Sequence, residues 1–167
     1  AGNYASRVLI PAFKVAGARL HSVVTSSGLS GSIHGAKSGF EYSSTDVDVI
    51  MNNDSIDTIV IATRHDSHSE LVCRGLQSGK SVFVEKPLAI NREGLSDIKK
   101  QYLRQEGHLG SGPLNHLMVG FNRRYSSHIT KMKSLLANVT EPKSFIMTMN
   151  AGYIPQDHWV HSSTVGG

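Results

Sequence analysis

The stretch that most limits the fold is Thr-Ile-Val-Ile-Ala at residues 58–62. It is continuously apolar rather than alternating, the pattern of a strand buried in a parallel sheet and not of one with a solvated face. Parallel strands need crossover connections, so helices must alternate with strands on either side. The sequence supplies them. Upstream, Val8, Leu9, Ala12, Phe13 and Ala16 recur at helical spacing, Gly17 stops that helix, and Leu20–Thr25 reads as a strand ending in a Ser/Gly turn. A short helix near 32–37 stops at Gly39, and Thr45 is placed to cap another carrying Val47, Val49, Ile50 and Met51. Downstream, Ser67 and Glu70 have capping-box spacing for a helix to Gln77, with Gly79 behind it. A strand at 81–84, a helix from the cap Asn91 through Gln105, a loop at 107–113 and a strand at 117–121 complete the alternation. It predicts an α/β fold, a doubly wound parallel sheet of Rossmann type. A helix at 129–137 and a strand at 145–151 follow in a different rhythm, as the start of an α+β substrate domain. The predicted domains are 1–122 and 123–167.

Composition narrows the function classes. The net charge of +4 comes from 17 basic and 13 acidic residues that are scattered, with no stripe suited to nucleic acid. No run approaches the roughly 20 apolar residues of a membrane-spanning helix, and the first residues lack a signal-peptide layout. The single cysteine, Cys73, can form neither an internal disulfide nor a cysteine-based zinc site, which fits a reducing cytoplasm. Of the nine histidines, His65 and His68 are three apart with no third ligand nearby, so no metal site is expected. A modest positive charge suits an anionic small ligand.

Ala1-Gly2-Asn3-Tyr4-Ala5 matches the last five positions of the dinucleotide fingerprint G-x-G-x-x-G/A, in which bare backbone and a helix amino end approach a pyrophosphate. The next strand ends at Thr25, about 20 residues on, where that fingerprint places the ribose-binding residue. Thr25, Ser26 and Ser27 stand where NAD-binding chains carry a carboxylate. Their hydroxyls can bond a 2′-phosphate, but no arginine flanks the turn, so NAD and NADP both remain open. The second feature is Glu85-Lys86-Pro87 at the end of a buried strand. Carboxyl ends of parallel strands face the ligand crevice, and an ammonium there can polarise or orient a substrate oxygen.

Together these segments carry a resemblance. Glu85-Lys86-Pro87-Leu88-Ala89, Ala62-Thr63-x-x-x-x-His68 and Gly120-Phe121-Asn122-Arg123-Arg124-Tyr125, with the glycine-rich start, resemble the glucose-fructose oxidoreductase / inositol dehydrogenase (Gfo/Idh/MocA) family in order and spacing. The resemblance implies an NAD- or NADP-dependent oxidoreductase that transfers a hydride between nicotinamide and a carbinol carbon of a sugar, cyclitol or nucleotide sugar. A non-catalytic dinucleotide-binding regulator of the same architecture is the alternative; Lys86 speaks against it. By the same resemblance, Gly2, Asn3, Tyr4 and Ala5 line the pyrophosphate, and Thr25 and Ser26 meet the adenosine ribose. Ala62, Thr63 and His68 lie along the nicotinamide side, while Glu85 and Lys86 sit at nicotinamide and substrate, with Lys86 catalytic. Arg124 faces the cleft, and Tyr153, Asp157, His158 and Trp159 join Lys86 at the substrate, an indole being able to stack on a sugar ring. Arg64 and His65 depart from the family's more usual Pro-Asn. The family's acid/base histidine is expected beyond residue 167 and its first strand before residue 1, as in an excerpt of a longer, homo-oligomeric protein.

Overall fold

A computed structural model describes residues 2–106, 115–148, 150 and 152–166. The chain opens in a π-helical turn, Ala5–Leu9, that runs into α1 (Ile10–Val15), and then follows β1 (Ser22–Val24), α2 (Gly28–Ser38), β2 (Tyr42–Ser44) and α3 (Asp48–Met51). Next come β3 (Thr58–Ile61), α4 (His68–Gln77), β4 (Ser81–Val84), α5 (Arg92–Glu106), β5 (Leu117–Val119) and α6 (Ser127–Leu135). Among the described residues every strand pairing is parallel, and the strands form two sheets, β1–β2 and β3–β4–β5. The expected α/β alternation is therefore present, divided between two ladders rather than carried by one.

The core lies on one face of β3–β4–β5. Ile59, Ile61, Val82 and Val84 point to that face and pack with Val72 and Leu76 of α4 and Ile98 of α5. Each such aliphatic side chain contributes about 1.5–3 kcal/mol relative to exposure. Gly75 brings α4 close to the sheet: a Cβ there would stand 2.8 Å from Val82 Cγ2. Alternating residues point the other way, where Phe13 of α1 meets Phe83 edge-on at 5.7 Å between centroids. Helices thus cover both faces, as a doubly wound sheet requires, but the second face is thinly covered. Val60 is 42% exposed, so β3 is not buried on both faces as its apolar run predicts.

At the amino edge of β4, Lys80 is buried. Its ammonium donates to the carbonyls of Asn53 (2.8 Å) and Ile56 (2.7 Å), tying the loop before β3 to the start of β4.

Local signals succeeded and failed for identifiable reasons. Gly39 ends α2 at φ +86°, and Asn91 caps α5 by accepting from the Gly94 amide at 2.8 Å. The Ser67–Glu70 capping box does not form. Ser67 Oγ donates to the Arg64 carbonyl (2.9 Å) and bonds Thr63 Oγ1 (2.7 Å), while Glu70 pairs with Arg74 one turn on. Thr45 does not cap α3 either; Asp46 Oδ1 accepts from the Asp48 amide instead, at 2.9 Å. Strand β2 has no apolar run and exists through its ladder with β1. The expected strand at 145–151 is absent over 145–148, where no neighbouring strand offers a ladder among the described residues; Asn150 is also outside any strand, and 149 and 151 lie outside them. The expected loop at 107–113 also lies outside the described residues.

Candidate active site

Parallel strands send their carboxyl ends to the same edge, so the loops after β3, β4 and β5 meet there. Ladder bonds carry the pairing into these loops: the Glu85 amide donates to Ile61 O (2.9 Å) and the Gly120 amide to Val84 O (2.8 Å). Glu85, Lys86, Ala62, Thr63 and Gly120 are thereby brought to one edge. Lys86 is exposed, and its ammonium has no hydrogen-bond or ion-pair partner among the described residues. Glu85 Oε1 is buried and likewise has no hydrogen-bond partner among the described residues. A Cβ on Gly120 would stand 2.7 Å from that oxygen, so only glycine leaves the carboxylate its place.

His68 occupies a different position from the one its motif suggests. Its side chain is fully buried at the start of α4, with Nδ1 2.7 Å from the Pro87 carbonyl and Nε2 3.3 Å from the Thr63 carbonyl. The shorter contact assigns the proton to Nδ1, which donates to Pro87 O. His68 thus ties the loop after β3 to the residue following Lys86. It shapes the edge from beneath and presents no ring atom to it.

The amino-terminal helix supplies a different resource. Among the described residues the first i to i−4 bond runs from the Ser6 amide to Gly2 O (3.0 Å), which places the amides of Asn3 and Tyr4 in the first turn, where helix amides lack an i−4 acceptor. A Cβ at Gly2 would meet nothing within 4 Å, which leaves open space beside these donors. Tyr4 also reaches the β5 exit, where Asn122 Nδ2 donates to its hydroxyl. Sequence reasoning missed this pairing, because 118 residues separate its members.

Other predicted residues are not gathered in. Thr25 and Ser26 stand at the end of β1, on the other sheet, and the Thr25 hydroxyl donates to Ser27 O at 2.6 Å. Arg124 donates to the Val119 carbonyl (3.3 Å) with its guanidinium 5.2 Å from the Tyr125 ring. Tyr153 is 87% exposed, and Asp157 is exposed too. Trp159 is half-buried, but against protein: His65 meets it edge-on at 4.9 Å, His158 lies at 5.5 Å, and the Arg64 guanidinium at 5.9 Å. Cys73 takes no part in the edge, and burial on α4, with Asp97 second, pushes its thiol pKa up.

The geometry suits a dinucleotide: a glycine-opened helix amino end, and a buried carboxylate oxygen with no donor among the described residues at the ends of β4 and β5. Comparison with known proteins agrees. Residues 1–111 match the oxidoreductase family with an NAD-binding Rossmann fold. The chain belongs to this family. Over 90 residues it is 32% identical to inositol 2-dehydrogenase of Rhizobium meliloti strain 1021, an alignment covering 54% of this chain and 25% of that protein. The structure of myo-inositol 2-dehydrogenase from Lactobacillus plantarum superposes with a TM-score of 0.64 at 21% identity, over 73% of this chain and 34% of that one. Levoglucosan dehydrogenase in complex with NADH and levoglucosan gives 0.61 at 23% identity, over 70% and 29%. The chain thus spans about a quarter to a third of these proteins, and the two superpositions establish the fold.

Proposed function

We propose that this chain is the cofactor-binding part of an NAD(P)-dependent dehydrogenase acting on a carbinol carbon of a sugar, cyclitol or nucleotide sugar. Residues 1–122 form the dinucleotide-binding domain and 123–167 begin a substrate domain. The observation that carries this reading is Lys86: an exposed ammonium at the carboxyl end of β4 with no partner among the described residues, next in sequence to Glu85, whose buried oxygen likewise has none there, and followed by Pro87, whose carbonyl His68 holds from below. The family description favours NAD, and the inositol and levoglucosan dehydrogenases to which the chain is similar point to polyhydroxylated substrates.

In this reading the amides of Asn3, Tyr4 and Ala5 receive the pyrophosphate at a helix amino end, which favours negative charge. Thr25 and Ser26 stand at the ribose. Ala62 and Thr63 would flank the nicotinamide, and Glu85 would stand beside it with a buried oxygen able to accept a hydrogen bond. A bound nicotinamide supplies the hydride acceptor or donor. Lys86 would orient the substrate hydroxyl and hold or share its proton. Arg124, Tyr153, Asp157, His158 and Trp159 stand on the substrate side. The complete protein is read as a cytoplasmic homo-oligomer, the single cysteine of these 167 residues suiting a reducing compartment.

The test is a Lys86→Ala substitution in the complete protein. Turnover of a sugar or cyclitol is expected to fall about 10²- to 10⁴-fold while NADH binding persists, the measure of a lost proton-handling group. Unchanged turnover sinks the catalytic role of Lys86, and absence of binding by either NADH or NADPH sinks the reading of residues 1–90.

A further inference from the structure

Arg64 and His65, which break the family's usual pattern after Thr63, are in contact with the far end of the chain. His65 Nδ1 lies 2.7 Å from the Gly166 carbonyl across 101 residues, so that nitrogen donates to it. The Gly166 amide in turn donates to Ser162 O at 2.7 Å, which closes the turn that presents the carbonyl. A Cβ at Gly166 would stand 2.2 Å from Val160 O and 2.6 Å from Val160 C. Those are backbone atoms that cannot swing aside, so the turn admits only glycine. The His65 ring also meets Trp159 edge-on, 4.9 Å away at 79°, with the Arg64 guanidinium 5.9 Å from the same indole. On its other side His65 packs 5.7 Å from His68, the residue that holds Pro87. One chain of contacts therefore runs from Gly166 and Trp159 through His65 and His68 to the neighbour of Lys86.

We propose that His65 is a positioning residue that seats residues 158–166 on the loop after β3, and so fixes Trp159, with His158 against it, on Arg64 and His65 of that loop. Its consequence for substrate placement rests on the function proposed above; the seating itself does not. The specific combination is a ring with one donor for a glycine carbonyl and an edge for an indole. Alanine supplies neither, and asparagine supplies the donor alone.

Trp159 is the only tryptophan of the chain, so its emission reports the seat directly. In the 167-residue chain, His65→Ala is expected to shift the Trp159 emission to longer wavelength and raise its acrylamide quenching about two-fold, as a half-buried indole becomes solvated. Gly166→Ala, made from the opposite side of the contact, is expected to do the same. His65→Asn recovers part of the change, and His128→Ala, at an exposed site, causes none. Thermal melts followed by circular dichroism on the same samples separate a lost seat from a lost fold: seating predicts a changed indole with the main transition retained. Unchanged emission and quenching in both His65→Ala and Gly166→Ala overturns the proposal, as does a shift in His65→Ala accompanied by collapse of the main transition. NADH titration of the unsubstituted chain keeps the two readings apart. Failure to bind defeats the proposed function and leaves the emission result to decide the seating.

Discussion

The β3–β4–β5 half and the β1–β2 half share a strand–helix rhythm yet are built differently. In the first, every strand sends side chains into a core with α4 and α5, and Val72 and Val84 are wholly inaccessible. In the second, none of the described residues of β1, β2 or α2 joins that core. α2 is rich in glycine and serine and leaves Leu29 75% and Ile33 58% exposed. Parallel pairing alone, without a helix laying aliphatic side chains on the ladder, makes a sheet but not a core.

The sharpest way to break this contrast is to truncate one side chain in each half. Leu76→Ala removes a side chain that is 2% exposed and is expected to cost about 2–5 kcal/mol. Ile33→Ala, on the exposed face of α2, is expected to stay within about 0.5 kcal/mol. Urea unfolding of both variants checks this, and equal losses would erase the distinction between the halves. A smaller effect sharpens it. Lys80→Met keeps the buried aliphatic stem but withdraws the ammonium from the Asn53 and Ile56 carbonyls, at a cost of about 1.5–3 kcal/mol, read as a lower denaturation midpoint.

The corresponding tie in the β1–β2 half is exposed, and its effect is the smallest. Arg19 forks onto Glu41 with both contacts at 2.6 Å, just before β1 and β2 respectively. The hydrogen bond from Arg19 is the main cause that holds the Glu41 carboxyl below its usual range. A depressed folded-state pKa contributes stability above the unfolded value and loses it as pH falls through the folded one. The difference between the parent chain and Arg19→Gln should therefore be small at neutral pH, close as the pH drops below the ordinary carboxylate range, and shrink with added salt. A difference that widened on acidification would contradict this account.

The same contrast explains what could be read from the sequence. Thr58–Ile61 and Ser81–Val84 announce themselves because burial demands apolar side chains, and the Glu85-Lys86-Pro87 edge follows from their direction. Tyr42–Ser44 is silent because backbone pairing to β1, not side-chain burial, makes it a strand. Thr45, Ser67 and Glu70 have the right spacing for caps, but nearer polar partners claim the same hydrogen-bonding groups. His68 carries the right motif and sits under the edge rather than in it, since sequence order cannot say which way a ring turns. The contacts of Tyr4 with Asn122 and of His65 with Gly166 join distant segments and leave no local trace.

The parallel register also governs how the chain finds its fold. Among the described residues no ladder closes a hairpin: Ser22 pairs with Tyr42, Thr58 with Ser81, and Val82, already paired with Ile59, with Leu117 on its other side. Each ladder must close a loop before its first bond forms, and the cost rises with loop length. The β3–α4–β4 unit has the shorter closure of the two in its sheet and brings most of the core with it, so it is the natural nucleus. β5 then joins as a late edge. Substitutions in β4 should slow folding, and those in β5 should chiefly hasten unfolding.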